Sequence, residues 1–478
     1  MKRAVATALA AAFAAGCAVN PPYVAPSATP PPAFRENANW KTAEPADQTL
    51  RGNWWDRYGD ATLGALETRI AVSNQTLKAA EAQFDQARAA VVYSRAGLSP
   101  QVATSPSITR ASVSNNRATP SIQGSYGDFL LPASVSYEAD VWGRVRGLIQ
   151  NSQAAAQATA ADVELVSLSL HAELAVDYFA LRGLDAERQI LDQAVANYEK
   201  ALELTESRFH GGVASAEDVA QAETQLETTR AQTVDVGVGR AQYEHAIAVL
   251  VGEPASSFTL APAPIAAEPP AIPAGLPSAL LERRPDVAGA ERRVAAANAE
   301  IGVARTAYYP LLALTGVGGF ESASLGTWLA GASNFWSIGP AALMTVFDGG
   351  RRRAINEQAR AVYTQTTAAY QETVLVAFRE VEDNLAALRL LDEEAAIQAR
   401  AVAAAERSLT LATNRYRGGV TSYLEVTAAQ SAALANERTA VNLRTRRMVA
   451  SVLLVKALGG GWDHSQLPTA TALKSRVK

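Results

Sequence analysis

Arg208-Phe209-His210-Gly211-Gly212-Val213-Ala214-Ser215 returns later in the chain as Arg415-Tyr416-Arg417-Gly418-Gly419-Val420-Thr421-Ser422. The offset is 415 − 208 = 207. Gly143-Arg144 comes back as Gly350-Arg351 at the same offset, 350 − 143 = 207. Two landmarks sharing one offset leave no insertion between them in either copy, which marks an internal duplication. No proline lies between Pro132 and Pro254, nor between Pro340 and Pro468. Turns use proline often, so such blocks predict long helices. Arg208 lies 208 − 143 = 65 residues after Gly143, about 100 Å of helix at about 1.5 Å per residue.

Working outward, Leu191, Val195, Tyr198, Leu202, Thr205 and Phe209 step by four and three towards the glycines, and the copy follows with Val402, Ala405, Leu409, Ala412 and Tyr416. Val219, Ala222, Leu226, Thr229, Thr233 and Val236 step back in the same way. Spacing near 3.5 is a coiled-coil period, and a Gly-Gly turn between two such seams makes an antiparallel helical hairpin. A plain bundle hairpin fits the periodicity as well. The expected helices are 143–209 and 215–251 in the first copy, and 350–416 and 422–458 in the second.

Ahead of each long helix the period changes to two. Val135, Tyr137, Ala139 and Val141 share one face, with Ser134, Ser136, Glu138 and Asp140 on the other. Trp336, Ile338, Ala342, Met344 and Val346 form a rougher apolar face. Strands are expected near 101–114, 133–142, 310–320 and 336–347, separated by Gly/Ser/Asn-rich stretches at 115–128 and 321–334. Ten-residue strands greasy on one side suit a transmembrane barrel or a half-buried soluble sheet. Four strands cannot close a barrel, which begins at about eight. Their edge N–H and C=O groups would be unsatisfied in lipid, so a membrane sheet of this chain must be completed by further copies. Two copies supply eight strands and three supply twelve.

The composition excludes several classes. The chain has 478 residues, 48% hydrophobic and only 19% charged, with 43 Lys+Arg against 47 Asp+Glu for a net charge of −4. Such a surface holds nothing for nucleic acid. Four His and one Cys allow no disulfide framework and show no metal-ligand spacing, and the sequence carries no HExxH, Gly-x-Ser-x-Gly or P-loop. No enzyme chemistry and no cofactor are therefore expected.

Residues 1–16 read as a signal peptide: basic Lys2-Arg3, then an apolar run too short to span a bilayer. It ends at Ala14-Ala15-Gly16-Cys17, where Cys17, the single cysteine, is placed as the lipidation site. A small-residue signal with a chance cysteine is the alternative. Seven prolines between Pro21 and Pro45 make an extended tether after the anchor, over 17–60. The first repeat is expected at 61–260, a linker at 261–277, the second repeat at 278–460 and a tail at 461–478.

Together these residues resemble the TolC-like outer membrane factors, particularly their lipidated efflux branch (OprM-like and NodT-like proteins). The resemblance covers essentially the whole chain. It is carried by Trp54-Trp55-Asp56-Arg57-Tyr58, Glu138-Ala139-Asp140-Val141-Trp142-Gly143-Arg144, Glu282-Arg283-Arg284-Pro285-Asp286-Val287, Ala304-Arg305-Thr306-Ala307-Tyr308-Tyr309-Pro310 and the two Arg-aromatic-x-Gly-Gly-Val turns. It implies an α+β membrane fold: a homotrimer sharing a 12-stranded β-barrel, four strands per chain, continued by a long α-helical barrel through the periplasm. It also implies anchorage in the outer membrane of a Gram-negative cell, and docking to a periplasmic adaptor and an inner-membrane pump. The expected function is passive exit of small molecules such as drugs. A duct for type I protein secretion shares the fold, and a non-channel coiled-coil scaffold lipoprotein is the rival of another class.

A helical tunnel needs a constriction at its free end, close to the Gly-Gly turns. Asp218 and Glu425 follow the turns at the 207 offset and match the acidic position that narrows the entrance in the family. The family's second acid, three residues on, is Ala428 here. First-turn acids also occur as ordinary dipole partners, so the residues fit a gate or a cap. Arg208, Arg415, Phe209 and Tyr416 are the further gate candidates, the arginines equally readable as last-turn cations. Gly211, Gly212, Gly418 and Gly419 allow positive φ. With Val213, Ser215, Val420 and Ser422 they form small tips that the resemblance assigns to adaptor docking. Glu138 and Asp140 are expected to line the lumen. Tyr308, Tyr309, Trp328, Phe335 and Trp336 suit an interfacial aromatic girdle, packing being the competing account for Tyr308 and Tyr309.

Overall fold

A computed structural model describes residues 19, 21–27, 30, 31, 33–36, 52–114, 116, 124–265, 268–270, 272 and 282–474. The signal peptide, Cys17 and parts of the tether, linker and tail lie outside them. The element order is α1 (Ala61–Ser73), α2 (Gln75–Ala96), β1 (Gln101–Thr104), β2 (Ser107–Ser112), β3 (Ser125–Glu138), α3 (Arg144–His210) and α4 (Ala216–Leu250). It continues with α5 (Pro285–Thr306), β4 (Leu311–Ser322), β5 (Asn334–Leu343), α6 (Arg351–Arg417) and α7 (Tyr423–Ala457). The two long helices have 67 residues each and the two return helices 35 each. Their ends fall within a residue of the expected ones.

The sheet is antiparallel throughout, in the order β1/β2–β3–β4–β5. β1 and β2 share one register on β3, since Gln101 faces Ser136 and Ser107 faces Leu130, six residues along on each side. They are one strand interrupted at Ser105-Pro106, where proline cannot donate to the ladder. β3 starts at Ser125 rather than 133 and stops at Glu138, so Ala139, Asp140 and Val141 leave the strand. The register puts Val102, Val135, Gly316 and Ile338 in one row, and Ile108 beside Phe129, on the same face as Leu131, Tyr137, Leu314, Phe320 and Trp336. The opposite face carries Ser107, Thr109, Asp128, Ser134, Ser136, Thr315 and Ser337. Between β4 and β5, Leu325–Thr327 and Gly331–Ser333 form single 3-10 turns.

Each long helix begins the same way. Gly143 and Gly350 take φ of 80° and 91°, a left-handed corner closed to β-branched side chains. Beside each corner an aspartate caps the helix. Asp140 accepts from the Val145 and Arg146 N–H groups at 2.8 and 3.0 Å; Asp348 accepts from Gly350 and Arg352 at 3.0 and 3.2 Å. Tyr309 stacks on Trp142 at 4.8 Å, and the Trp142 indole donates to the Pro310 carbonyl at 2.8 Å. Tyr309 is therefore spent on packing, while Tyr308 lies under Arg352.

The main core gathers around the middle of the long helices, with Trp54, Tyr58, Ile70, Leu174, Tyr178, Phe179, Leu385, Met448 and Leu454 buried together. Burying a large apolar side chain contributes about 1.5–3 kcal/mol, so this belt fixes where the hairpins leave the body. Pro285 opens α5, and buried Arg284 ties that start to Asp286, Glu380 and the Ala457 carbonyl. Among the described residues no helix is long and apolar enough to cross a membrane.

Candidate functional site

The two hairpin turns close with one hydrogen-bond pattern. Val213 N–H donates to the Arg208 carbonyl at 2.8 Å and Gly212 N–H to Phe209 at 2.9 Å; Val420 donates to Arg415 and Gly419 to Tyr416, both at 3.0 Å. This is a Schellman ending, which needs a left-handed residue at the second glycine. Gly212 and Gly419 supply it with φ of 74° and 73°. Gly211 and Gly418 are right-handed, so only one glycine of each pair uses the freedom expected of both. Val213 and Val420 stand exposed at the tips.

Side chains differ between the tips. Ser215 and Asp218 form a capping box: Asp218 N–H donates to Ser215 Oγ at 3.1 Å, and Ser215 N–H to Asp218 Oδ2 at 2.9 Å. Asp218 Oδ1 also accepts from Tyr423 N–H in the second hairpin, at 3.1 Å. Slight burial pushes the Asp218 carboxyl up, but the Ser215 and Tyr423 hydrogen bonds and the Arg208 charge outweigh it and hold it below its ordinary value. Asp218 is thus a cap and a link at once. Ser422 makes no side-chain cap, and Glu425 instead meets Arg415 at 3.4 Å in the open.

Arg208 crosses to the second hairpin, its guanidinium 4.7 Å from the Tyr416 ring centre and donating to the Arg417 carbonyl at 3.2 Å. Tyr416 packs edge-on against Tyr423 at 5.2 Å. Further up, Tyr198 Oη donates to the Gln430 carbonyl and Ser431 Oγ to Gln225. Tyr416 is 5% exposed, whereas Phe209 at the matching position is 42% exposed. Tyr423 and Gln430 were not among the expected site residues; Tyr423 stands where the first copy has Ala216, and that departure from the repeat was its only signal.

Above the hairpins a charged clamp occurs twice. Arg240 Nε meets Asp185 at 2.7 Å, and Arg447 Nε meets Asp392 at 2.6 Å, both residues at the 207 offset. Asp185 also accepts from Arg182 and from Ala263 N–H, which seats the linker. The Asp185 carboxylate is 2% exposed and that of Asp392 54%. Fourteen residues earlier on the same helix, His171 is a core residue, stacked on Trp55 at 4.5 Å with Nδ1 2.6 Å from Glu67. Burial pushes Glu67 up to about 9 and His171 down to about 4.

At the sheet end, Glu138 lies on the polar face and pairs with Arg144, with Nε at 2.8 Å. Asp140 lies beyond the strand and is used in capping and in binding Arg146, which corrects its placement on the strand's polar face. Trp336 is exposed on the apolar face, Phe335 is on the opposite side, and Trp328 leans on Phe129. The described parts of the tether pack against the body, Phe34 entering the main core. Val19 N–H reaches the Trp142 carbonyl at 3.5 Å, Tyr23 bonds Glu291, and Glu382 accepts from the Arg35 and Glu36 N–H groups at 2.8 and 3.1 Å.

Comparison with known proteins agrees with this arrangement. The family model described as "Outer membrane efflux protein" matches residues 68–253 and 276–460. The antibiotic efflux pump outer membrane protein ArpC of Pseudomonas putida is 30% identical over 464 residues, 96% of each chain. The outer membrane protein OprJ of Pseudomonas aeruginosa is 32% identical over 462 residues, 94% of each. Among solved structures, the outer-membrane channel OprN superposes with a TM-score of 0.86 at 29% identity, covering 93% of this chain and 100% of that one. VceC of Vibrio cholerae gives 0.79 at 28%, covering 86% and 99%.

Proposed function

Since the chain belongs to the outer membrane efflux protein family, we propose that it is the outer-membrane exit duct of a tripartite efflux system. It conducts small molecules passively from periplasm to exterior, with the energy supplied by an inner-membrane pump. The observation that carries this reading is one chain holding both a sheet apolar on a single face with two open edges and two helical hairpins of about 100 Å. A homotrimer supplies twelve strands, enough to close a barrel in lipid. Lipidated Cys17 anchors each copy.

The hairpin tips hold the periplasmic gate. Arg208, Asp218, Tyr416 and Tyr423 hold the two hairpins of one copy together. Phe209, Arg415 and Glu425 are exposed and form the variable part of the ring. The knobs Gly211, Gly212, Val213 and Ser215, with Gly418, Gly419, Val420 and Ser422, offer small, mildly apolar surfaces for a periplasmic adaptor. Glu138 contributes charge to the lumen near the sheet–helix junction.

In reconstituted bilayers, Asp218→Ala combined with Glu425→Ala is expected to raise single-channel conductance; an unaltered conductance overturns the gate. In cells, loss of the gene is expected to raise sensitivity to toxic small molecules. Unchanged sensitivity with lost protein secretion would reject efflux in favour of a secretion duct.

A further inference from the structure

The sheet ends in two edges. Among the described residues β5 pairs only with β4, and β1/β2 only with β3. Trp336 on one edge is 74% exposed, and Ile338, Val102 and Ile108 are likewise open. In hydrocarbon an unpaired edge costs several kcal/mol per orphaned group, so both edges require a strand.

The duplication states which one. Pro100 before β1 corresponds to Pro310 before β4, an offset of 310 − 100 = 210, while Gly143 after β3 corresponds to Gly350 after β5, an offset of 207. These two offsets can be checked inside the chain. Leu311 faces Leu343; subtracting 210 and 207 gives Gln101 and Ser136, which are an observed pair. Both hairpins therefore share one register. The contact between the repeats is the β3–β4 ladder, from Phe129 facing Ser322 to Glu138 facing Ala313. Moving each residue by its own offset carries Phe129 to Trp336, Ser322 to Ser112, Glu138 to Thr345 and Ala313 to Ala103.

We infer that the edge β5 of one copy pairs antiparallel with β1/β2 of the next copy in one fixed register, with Trp336 facing Ser112, Ile338 facing Arg110 and Pro340 facing Ile108. This rests on the oligomeric duct reading and adds the register to it. The same stagger then runs round the whole barrel. The row Val102–Val135–Gly316 ends on the counterpart of Pro106 (316 − 210 = 106), an advance of 106 − 102 = 4 residues per repeat. Across the seam Ile338 hands that row to Arg110, again 110 − 106 = 4. Face matching alone fixes register only modulo two residues, because a one-residue slip would turn the apolar face inward; the repeat removes the remaining freedom. The other end of the molecule follows the same rule: Phe209 is exposed where its counterpart Tyr416 is covered by Arg208, which leaves Phe209 for the Arg415 of a neighbouring copy.

The test is disulfide trapping in isolated membranes under mild oxidation. Ser112 and Trp336 of one chain are three strand spacings apart and, since Trp336 lies in the row of Thr104, also eight residues out of line, roughly 30 Å in all and too far for an internal bridge. Ser112→Cys with Trp336→Cys is expected to shift most of the protein into reducible covalent dimers and trimers. The four-residue control Ile108→Cys with Trp336→Cys is expected to stay monomeric on denaturing gels. If either substitution prevents assembly, Arg110→Cys with Ile338→Cys reads the same register one step along. Linking by the control pair, or by neither pair in intact oligomers, overturns the register while leaving the duct in place. A parent protein that never oligomerises overturns both.

Discussion

The first and second halves of this chain have the same helices, the same left-handed corners and the same Schellman tips, yet their side chains at matching positions are used differently. Asp185 and Asp392 each meet an arginine in the same geometry, one buried and one in water. Phe209 is open where Tyr416 is covered, and Ser215 caps where Ser422 does not. What the halves share is set locally by glycine, proline and helix periodicity. What they do not share follows from position: Asp185 is covered by the linker, whose Ala263 N–H it accepts, while Asp392 faces solvent.

That contrast gives a graded set of tests by chemical denaturation of the detergent-solubilised protein. Asp185→Ala leaves buried Arg182 with no carboxylate and takes one of two from Arg240, and is expected to cost about 3–5 kcal/mol. Asp392→Ala breaks an exposed pair and is expected to cost about 0–1 kcal/mol. Equal losses would mean the two clamps are equally desolvated in the assembly, and the contrast drawn from one chain would fail. At the tips the order reverses to equality: Gly212→Ala and Gly419→Ala should each cost about 1–2 kcal/mol, since both force an alanine into the left-handed region. Ser215→Ala should cost about 1 kcal/mol through its cap, and Ser422→Ala close to nothing.

A further test concerns pH. Where the second half has Phe378, the first has His171 against buried Glu67. The folded pKa of Glu67 is raised to about 9, so the folded form keeps a proton that the unfolded chain loses above about 4.5. Stability through this group therefore falls as pH rises across that window. Glu67→Gln keeps a neutral donor for His171 and should flatten the decline in melting temperature between pH 6 and 9. An unchanged slope would show that Glu67 is already ionised in the fold. Asp218 runs the other way: its lowered pKa makes the tip link strongest above the ordinary carboxylate range, and weaker as pH falls through the folded value.

Much of this was legible in the residues. Helix ends followed from Gly143, Gly350 and the two Gly-Gly turns, because the left-handed conformation they adopt is a local property. Strand ends were harder. Ser125 to Pro132 carries Gly127, Asp128 and Pro132 and reads as a loop, but β2 on one side and β4 on the other draw it into the ladder. Asp140 alternates correctly for a strand and yet serves as a helix cap, a role decided by the corner at Gly143. The clamp arginines recur at the 207 offset and could have been found there; the Tyr423 link could not, because it depends on which helix lies beside it.

The most direct measurement is a low-resolution image of the detergent-extracted particle. Three copies around a central hole, with a short wide end and a long tapered one, is the predicted outcome. A monodisperse single copy without a bore would contradict it, since lone sheet edges have no means of closing in lipid.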